Sequence, residues 1–153
     1  MDNRMFYRSP MGELNLVIDL DEDTIIGIGF SSHQAITEPV TDYEQEIYRQ
    51  LDAYFRGELK EFDLAFFATG TVFQLMVWEE LMKVPYGQTI SYGELAKRVG
   101  MPKAARAVGS ALSRNPVPIL VPCHRVVGAK GQLTGFAGGI DVKQTLLNLE
   151  KQK

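Results

Sequence analysis

The sequence predicts an α+β protein with a small N-terminal sheet domain, residues 1–68, and a helical C-terminal domain, residues 69–153. Apolar residues alternate with polar ones near the start of the chain and recur at helical spacing later on. Charge also divides between the halves. Residues 1–68 hold five Lys and Arg against fourteen Asp and Glu, net −9, whereas residues 69–153 hold eleven against five, net +6. We therefore expect only the C-terminal half to meet a polyanion such as nucleic acid.

Composition excludes several classes of protein. The chain has 153 residues, 45% hydrophobic and 23% charged, which is ordinary globular usage rather than that of a disordered chain. It has no apolar run long enough for a membrane span and no signal peptide, so we expect a cytoplasmic protein, or a nuclear one in a eukaryote. One cysteine, Cys123, forbids an intramolecular disulfide and argues against a zinc site. We expect no metal, no cofactor and a monomer without an obligate protein partner.

Three short strands, at residues 5–8, 13–19 and 24–30, are predicted to form a meander. A helix follows from Asp42 to Arg56, with Thr41 as its N-cap in a capping box. Apolar residues at 62–67 predict a further strand before the domain boundary.

The C-terminal half is predicted to contain a helix-turn-helix pair. A helix over residues 71–83 precedes it. Ser91 then caps a short helix that ends at Arg98, and Pro102 is predicted as the first residue of the next helix, which runs to Ser113. Residues 115–128 are apolar but broken by three prolines, and Asp141 is predicted to cap a last helix that reaches Glu150.

The second helix of the pair has one apolar face and one small, cationic face. The spacing turns Val108, Ala111 and Leu112 towards the core. Small residues on the other side allow close approach to a nucleic-acid backbone or a shallow groove, although tight packing against another helix is the alternative. The outward face comprises Lys103, Arg106, Ala107 and Ser110, with Ala105 and Gly109 beside it.

The segment VPCHR, residues 121–125, carries the strongest chemical signal. A thiolate is a nucleophile, and a histidine or a cation nearby lowers the pKa of the thiol. Successive side chains of a strand point to opposite faces, so His124 can serve Cys123 only where the chain turns. A histidine base also needs a carboxylate to orient it, and Asp141 and Glu150 are the candidates. A buried cysteine beside a structural histidine is the alternative.

These residues carry a resemblance to a known family. The stretch PKAARAVGSALSRNPVPILVPCHRVVGAKGQLTGFAGG resembles the signature region of O6-alkylguanine-DNA alkyltransferases, also called methylated-DNA–protein-cysteine methyltransferases. VPYGQTISYGELA resembles the same family, so the likeness covers about residues 70–151. It implies a ribonuclease-H-like N-terminal domain and a winged-helix-like C-terminal domain. The implied partner is double-stranded DNA containing alkylated guanine, with no membrane association.

The resemblance implies repair by irreversible, stoichiometric transfer of an alkyl group from a flipped O6-alkylguanine, with O4-alkylthymine as a further expected substrate. Cys123 matches the acceptor, His124 a general base acting through a water, and Glu150 the carboxylate that orients this base. Tyr92 matches the tyrosine that protonates the leaving guanine. A non-catalytic sensor of alkylation damage and an unrelated Cys-His hydrolase are the alternatives.

The resemblance also implies binding roles. Arg106 matches an arginine finger that fills the space of the flipped base, on a helix that enters the minor groove. Phe136 stands where the family often has tyrosine. Together with the outward face of the helix, this predicts a DNA-binding set of Lys103, Ala105, Arg106, Ala107, Gly109 and Ser110. The predicted substrate-binding set is Asn115, which also braces the active-site turn, the backbone of Val126, the backbone amide of Ala137, and Arg125, which follows Cys123 and His124 directly in the sequence.

Overall fold

The computed structural model describes residues 2–12, 14–31, 35–136 and 138–151. Strands occupy the beginning of the chain and helices most of the remainder, so the predicted α+β fold class is confirmed. No helix within the described residues is long and apolar enough to cross a membrane.

A three-stranded antiparallel sheet forms the N-terminal half, in the order β1 (Asp2–Arg8), β2 (Asn15–Asp21) and β3 (Thr24–Ser31). The helix α1 (Asp42–Phe55) packs on it, and Thr41 closes the predicted capping box at its start. Aromatic side chains join the two layers: the Tyr7 ring lies 5.1 Å from the Tyr48 ring and 6.1 Å from the Phe55 ring, centroid to centroid. The predicted meander and helix are therefore confirmed.

The strand predicted at residues 62–67 is wrong. Only a single bridge forms there, between Phe66 and Ile25 of β3. The physical reason is a competing side chain: Gln50 on α1 accepts from the Asp63 amide at 2.8 Å and donates to the Asp63 carbonyl at 3.1 Å. Those backbone groups are thus satisfied by an amide side chain rather than by a neighbouring strand.

Within the described residues, four α-helices and a two-stranded parallel sheet form the C-terminal half. The indole nitrogen of Trp78 donates to the Ala111 carbonyl at 2.9 Å in the buried interior, which fixes the second helix of the helix-turn-helix pair against the preceding helix. The elements are α2 (Val72–Leu81), β4 (Ile90–Ser91), α3 (Tyr92–Arg98), α4 (Ala105–Ser113), β5 (Val126–Val127) and α5 (Ile140–Lys151).

Two predicted helix starts are wrong. Pro102 lies in a turn closed by the Ala104 amide on the Met101 carbonyl at 2.9 Å, so α4 begins three residues after the proline. Asp141 lies inside the first turn of α5 rather than at its cap, because the Lys143 amide reaches back to the Gly139 carbonyl at 3.1 Å. Gly139 has φ +96°, which glycine adopts without the steric cost that a side chain imposes.

Candidate active site

The segment around Cys123 turns sharply. Cys123–Arg125 forms one turn of 3₁₀ helix, in which the Arg125 amide donates to the Pro122 carbonyl at 3.0 Å. The Val126 amide then donates to the Cys123 carbonyl, and the chain enters β5. The requirement that the chain turn between the thiol and the imidazole is therefore met.

Asn115 braces the loop that leads into this turn. Its side-chain amide donates to the Val121 carbonyl at 2.9 Å, and its oxygen accepts from the Val117 amide at 3.0 Å. Within the loop, buried Ile119 has φ +77°, a conformation that β-branched residues rarely adopt. The surrounding contacts thus hold the backbone in a conformation that it would not choose alone.

His124 and Glu150 lie together in the interior. The imidazole Nε2 is 2.7 Å from the Glu150 Oε2, and the two residues are 0% and 3% exposed. Such a contact orients the ring and, where the neutral imidazole donates through Nε2, leaves Nδ1 free to accept a proton. The Nδ1 atom is buried and has no hydrogen-bond partner within the described residues.

Glu150 has more partners than the sequence indicates. Arg125 donates to its two oxygens at 2.8 and 3.0 Å, and the Tyr54 hydroxyl donates to Oε2 at 2.5 Å. Burial alone raises the pKa of a carboxyl, but the bonds from His124 and Arg125 outweigh it and hold the pKa of Glu150 well below its usual range. Tyr54 comes from α1, 96 positions away, and no local sequence signal indicates this contact.

Arg125 does not line the cavity beside Cys123, contrary to its predicted place in the substrate-binding set. Besides its bonds to Glu150, its Nη1 donates to the Val84 carbonyl at 2.8 Å, and its guanidinium lies 5.9 Å from the centre of the Tyr86 ring. The prediction is wrong because neighbouring side chains of a tight turn point in different directions, so a residue next to the cysteine in sequence need not face the same cavity.

Burial is the largest influence on the pKa of the Cys123 thiol. It raises the pKa of Cys123 to about 11, although a hydrogen bond with Asn115 and the charge of Lys143 both lower it. The expectation that neighbouring groups make this thiol acidic is therefore wrong, because the effect of burial outweighs theirs. Burial also lowers the pKa of His124, against the pull of Glu150. The resting site therefore pairs a neutral thiol with a neutral base.

A cavity of about 550 Å³ opens at Cys123 and reaches the protein surface. Its walls combine the predicted tyrosine and arginine with groups that sequence reasoning missed, above all Thr134. The wall residues that bear on the chemistry are Tyr92, Ala105, Arg106, Gly109, Thr134 and Phe136.

One wall of the cavity rests on the N-terminal sheet. The Phe136 ring lies 5.4 Å from the Phe30 ring of β3, centroid to centroid. A Cβ added at Gly138 would lie 2.7 Å from the Phe30 ring, so only glycine permits this close approach. Ala137, predicted to contact substrate, lies outside the described residues.

The helix α4 has the two faces that its spacing predicts. Val108, Ala111 and Leu112 are buried. The opposite face is exposed at Arg106, Ala107 and Ser110, as is Lys103 just before the helix. Its role in contacting DNA stays a prediction, as does contact of substrate with the backbone of Val126, which is buried in β5.

Comparison with known proteins places the chain in a family. Residues 4–67 match the model of the 6-O-methylguanine DNA methyltransferase ribonuclease-like domain, and residues 72–152 match that of the DNA binding domain. A methylated-DNA–protein-cysteine methyltransferase of Methanosarcina acetivorans is 57% identical over 94% of this chain and 95% of its own length.

Two crystal structures from Mycobacterium tuberculosis are also similar. Its O6-methylguanine methyltransferase is 42% identical with a TM-score of 0.84, covering 99% of this chain and 93% of that one. Its OGT in complex with DNA gives 42% identity and a TM-score of 0.83, over 97% of this chain and 92% of that one. The chain therefore belongs to the 6-O-methylguanine DNA methyltransferase family, and with it to the methyltransferases of DNA repair.

Proposed function

We propose that this protein repairs O6-alkylguanine in double-stranded DNA by moving the alkyl group irreversibly to Cys123, one group per molecule. The observation that carries the proposal is a thiol in the lining of an open cavity, followed in the same turn by a histidine whose Nε2 contacts a buried carboxylate. The relative from Methanosarcina acetivorans supports it, since its name gives methylated DNA as substrate and a protein cysteine as acceptor.

The chemistry follows from the resting charges. The thiol is neutral before the reaction, so its proton has to leave as the sulfur attacks. His124 accepts that proton at Nδ1, directly or through a bridging water, and Glu150 stabilises the resulting imidazolium. A sulfur–carbon bond forms, the carbon–O6 bond breaks, and its electron pair stays on the guanine, which takes a proton from Tyr92.

Extrusion of the base is part of the proposal. A stacked guanine cannot bring its O6 substituent to a thiol that is 6% exposed, so the nucleotide has to leave the helix and enter the cavity. Arg106 is exposed at the mouth of this cavity, where it can fill the gap that the base leaves. The small residues beside it, Ala105 and Gly109, let α4 approach a widened minor groove closely.

Intact-mass spectrometry tests the proposal. The protein is incubated with duplex DNA containing O6-methylguanine, and the expected result is a mass gain of one methyl group on the peptide that contains Cys123. Transfer should stop at one equivalent, and the Cys123→Ala variant should show none. Repeated turnovers, or methylation elsewhere, would contradict the proposal.

The same experiment separates the alternatives. A damage sensor would bind the modified duplex and gain no mass, even with Cys123 in place. A Cys-His hydrolase would form an acyl-enzyme with activated esters and ignore the modified DNA. Binding of modified duplex by Cys123→Ala with wild-type affinity, together with loss of transfer, is the outcome that we expect.

A further inference from the structure

Three polar side chains form a hydrogen-bonded chain along the wall of the cavity. The Tyr92 hydroxyl is hydrogen-bonded to the Thr134 hydroxyl, and the Lys143 Nζ donates to the same Thr134 oxygen at 3.4 Å. Tyr92 and Thr134 both line the cavity that contains Cys123. Lys143 lies behind them on α5 and is only 1% exposed.

The direction of this chain follows from the chemistry of its members. An ammonium group can only donate, so Lys143 occupies an acceptor site on the Thr134 oxygen. The single hydroxyl hydrogen of Thr134 is then free to point at the Tyr92 oxygen, and the Tyr92 hydrogen is free to point into the cavity. Hydrogen bonds aligned in this way strengthen one another.

Burying the ammonium group of Lys143 costs free energy, because charged groups are strongly hydrated. Burial lowers the pKa of Lys143, because the charged form loses its hydration. No carboxylate forms a salt bridge with it within the described residues, and its only side-chain hydrogen bond described there goes to Thr134. An ammonium in this setting is a better proton donor than an exposed lysine.

We propose that Lys143 and Thr134 are positioning residues that make Tyr92 donate into the cavity and replace its proton once the guanine has taken it. This inference rests on the proposed function above and assigns it a proton source. The guanine receives the Tyr92 proton, Tyr92 receives that of Thr134, and Thr134 receives one from Lys143. His124 gains the thiol proton while Lys143 loses one, so the net charge of the site is unchanged.

Two reactions at the same thiol test the relay. Methyl transfer from O6-methylguanine in duplex DNA needs protonation of the leaving group, whereas alkylation by iodoacetamide releases iodide and needs none. Thr134→Val keeps the shape of the side chain but removes the hydroxyl, and we expect it to slow methyl transfer about tenfold, the effect of one lost hydrogen bond. Its rate with iodoacetamide should stay within about twofold of wild type.

Matched variants separate the relay from a structural effect. Thr134→Ser keeps the hydroxyl and should restore methyl transfer to within about threefold of wild type. Thr145→Val removes a partly exposed hydroxyl on α5 that donates to the Asp141 carbonyl, and serves as the control. Tyr92→Phe combined with Thr134→Val should be no slower than Tyr92→Phe alone, since Thr134 acts through Tyr92.

Lys143 is tested by methyl transfer in single and double variants, because loss of its charge also acts on the pKa of Cys123 and therefore on the iodoacetamide rate. Lys143→Met should slow methyl transfer at least as much as Thr134→Val, and adding Thr134→Val to it should slow the reaction no further. Multiplying effects in either double variant, or a Thr134→Val protein that transfers methyl at the wild-type rate, would overturn the relay. A wild-type protein that transfers no methyl group would instead overturn the proposed function, so the two failures are distinct.

Discussion

The two sides of the active site differ in how completely their hydrogen bonds are satisfied. On the interior side, Glu150 is buried and accepts from Arg125 and Tyr54 and contacts His124. On the cavity side, Tyr92 is only partly buried, and Arg106 is exposed at the entrance. The carboxylate of Glu150 on the interior side is fully engaged by protein groups, and only the His124 Nδ1 is left without a partner within the described residues. The cavity side instead has donors that a substrate can use.

The preformed interior network and the open cavity side should respond differently to substitution. Preorganised charge stabilises a developing imidazolium without rearrangement, which is the larger contribution in many enzymes. Substitutions on the interior side should therefore lower stability and chemistry together. Substitutions on the cavity side should change the reaction with DNA and leave the folded protein intact.

Glu150→Gln should have the largest effect. It leaves the Arg125 guanidinium buried without a counter-charge, which costs about 3–5 kcal/mol of unfolding free energy. Methyl transfer should also fall, by about a hundredfold, because imidazolium formation loses its carboxylate. Urea unfolding and single-turnover rates measure the two effects. The control is Glu79→Gln, which removes an exposed carboxylate on α2. Unchanged stability and rate would show that the interior side is not preorganised by charge.

The same pair predicts how stability depends on pH. The folded pKa of Glu150 lies well below the unfolded value of about 4.3, so its contribution is complete above that pH and is lost as the pH falls towards the folded pKa. Unfolding free energy measured from pH 6 down to pH 3 should fall more steeply for wild type than for Glu150→Gln. Parallel curves would contradict this assignment.

Arg106→Ala tests the cavity side. It should slow methyl transfer from duplex DNA about tenfold or more, because the extruded state loses its wedge, an effect of about 1.4 kcal/mol or more. Reaction with the free base O6-benzylguanine should change less than threefold, since a free base needs no extrusion. Thermal unfolding should be unaffected, as the side chain is exposed. Equal slowing of both substrates would argue against the wedge.

Tyr54→Phe should have a smaller effect than Glu150→Gln or Arg106→Ala. It removes one of several donors to Glu150 and keeps the ring that packs 5.1 Å from Phe62. We expect a loss of about 1–2 kcal/mol in stability and a rate lowered only a few-fold, because Arg125 and His124 remain in place. Chemical unfolding and single-turnover assays compare it with Tyr43→Phe, whose hydroxyl bonds a distant carbonyl.

Lys103→Ala should have the smallest effect. Its exposed ammonium is expected to meet a phosphate, so DNA affinity should weaken by a few-fold at low salt, and the slope of log affinity against log salt should fall by about one. The rate of reaction with the free base O6-benzylguanine should not change. An unaltered slope would remove Lys103 from the predicted DNA contacts.

Short-range signals in the sequence were sufficient for much of the fold. Thr41 closes its predicted capping box and Ser91 caps α3 as expected, so these two helix starts were predictable from local chemistry. Contacts between distant positions were not predictable. The Gln50 side chain replaced a strand at Asp63, and nothing near either residue indicates that pairing.

In the candidate site, too, local features were predictable from the sequence, and features set by the whole fold were not. The turn at Cys123 and the contact between His124 and Glu150 agree with expectations from the sequence and the resemblance. The high pKa of the thiol was not foreseen, because burial is a property of the whole fold. Lys143 gives no signal either: a lysine in the first turn of a helix is ordinarily a solvated residue.

The buried contact between His124 and Glu150 bears on how many lesions a given amount of this protein can repair. An enzyme that turns over many times must regenerate its base. Its imidazolium must therefore lose its proton again after each reaction. In the proposed reaction the sulfur is alkylated permanently. The imidazolium that Glu150 stabilises therefore never has to lose its proton for a second reaction. Repair capacity is then set by the number of folded chains and not by a turnover rate.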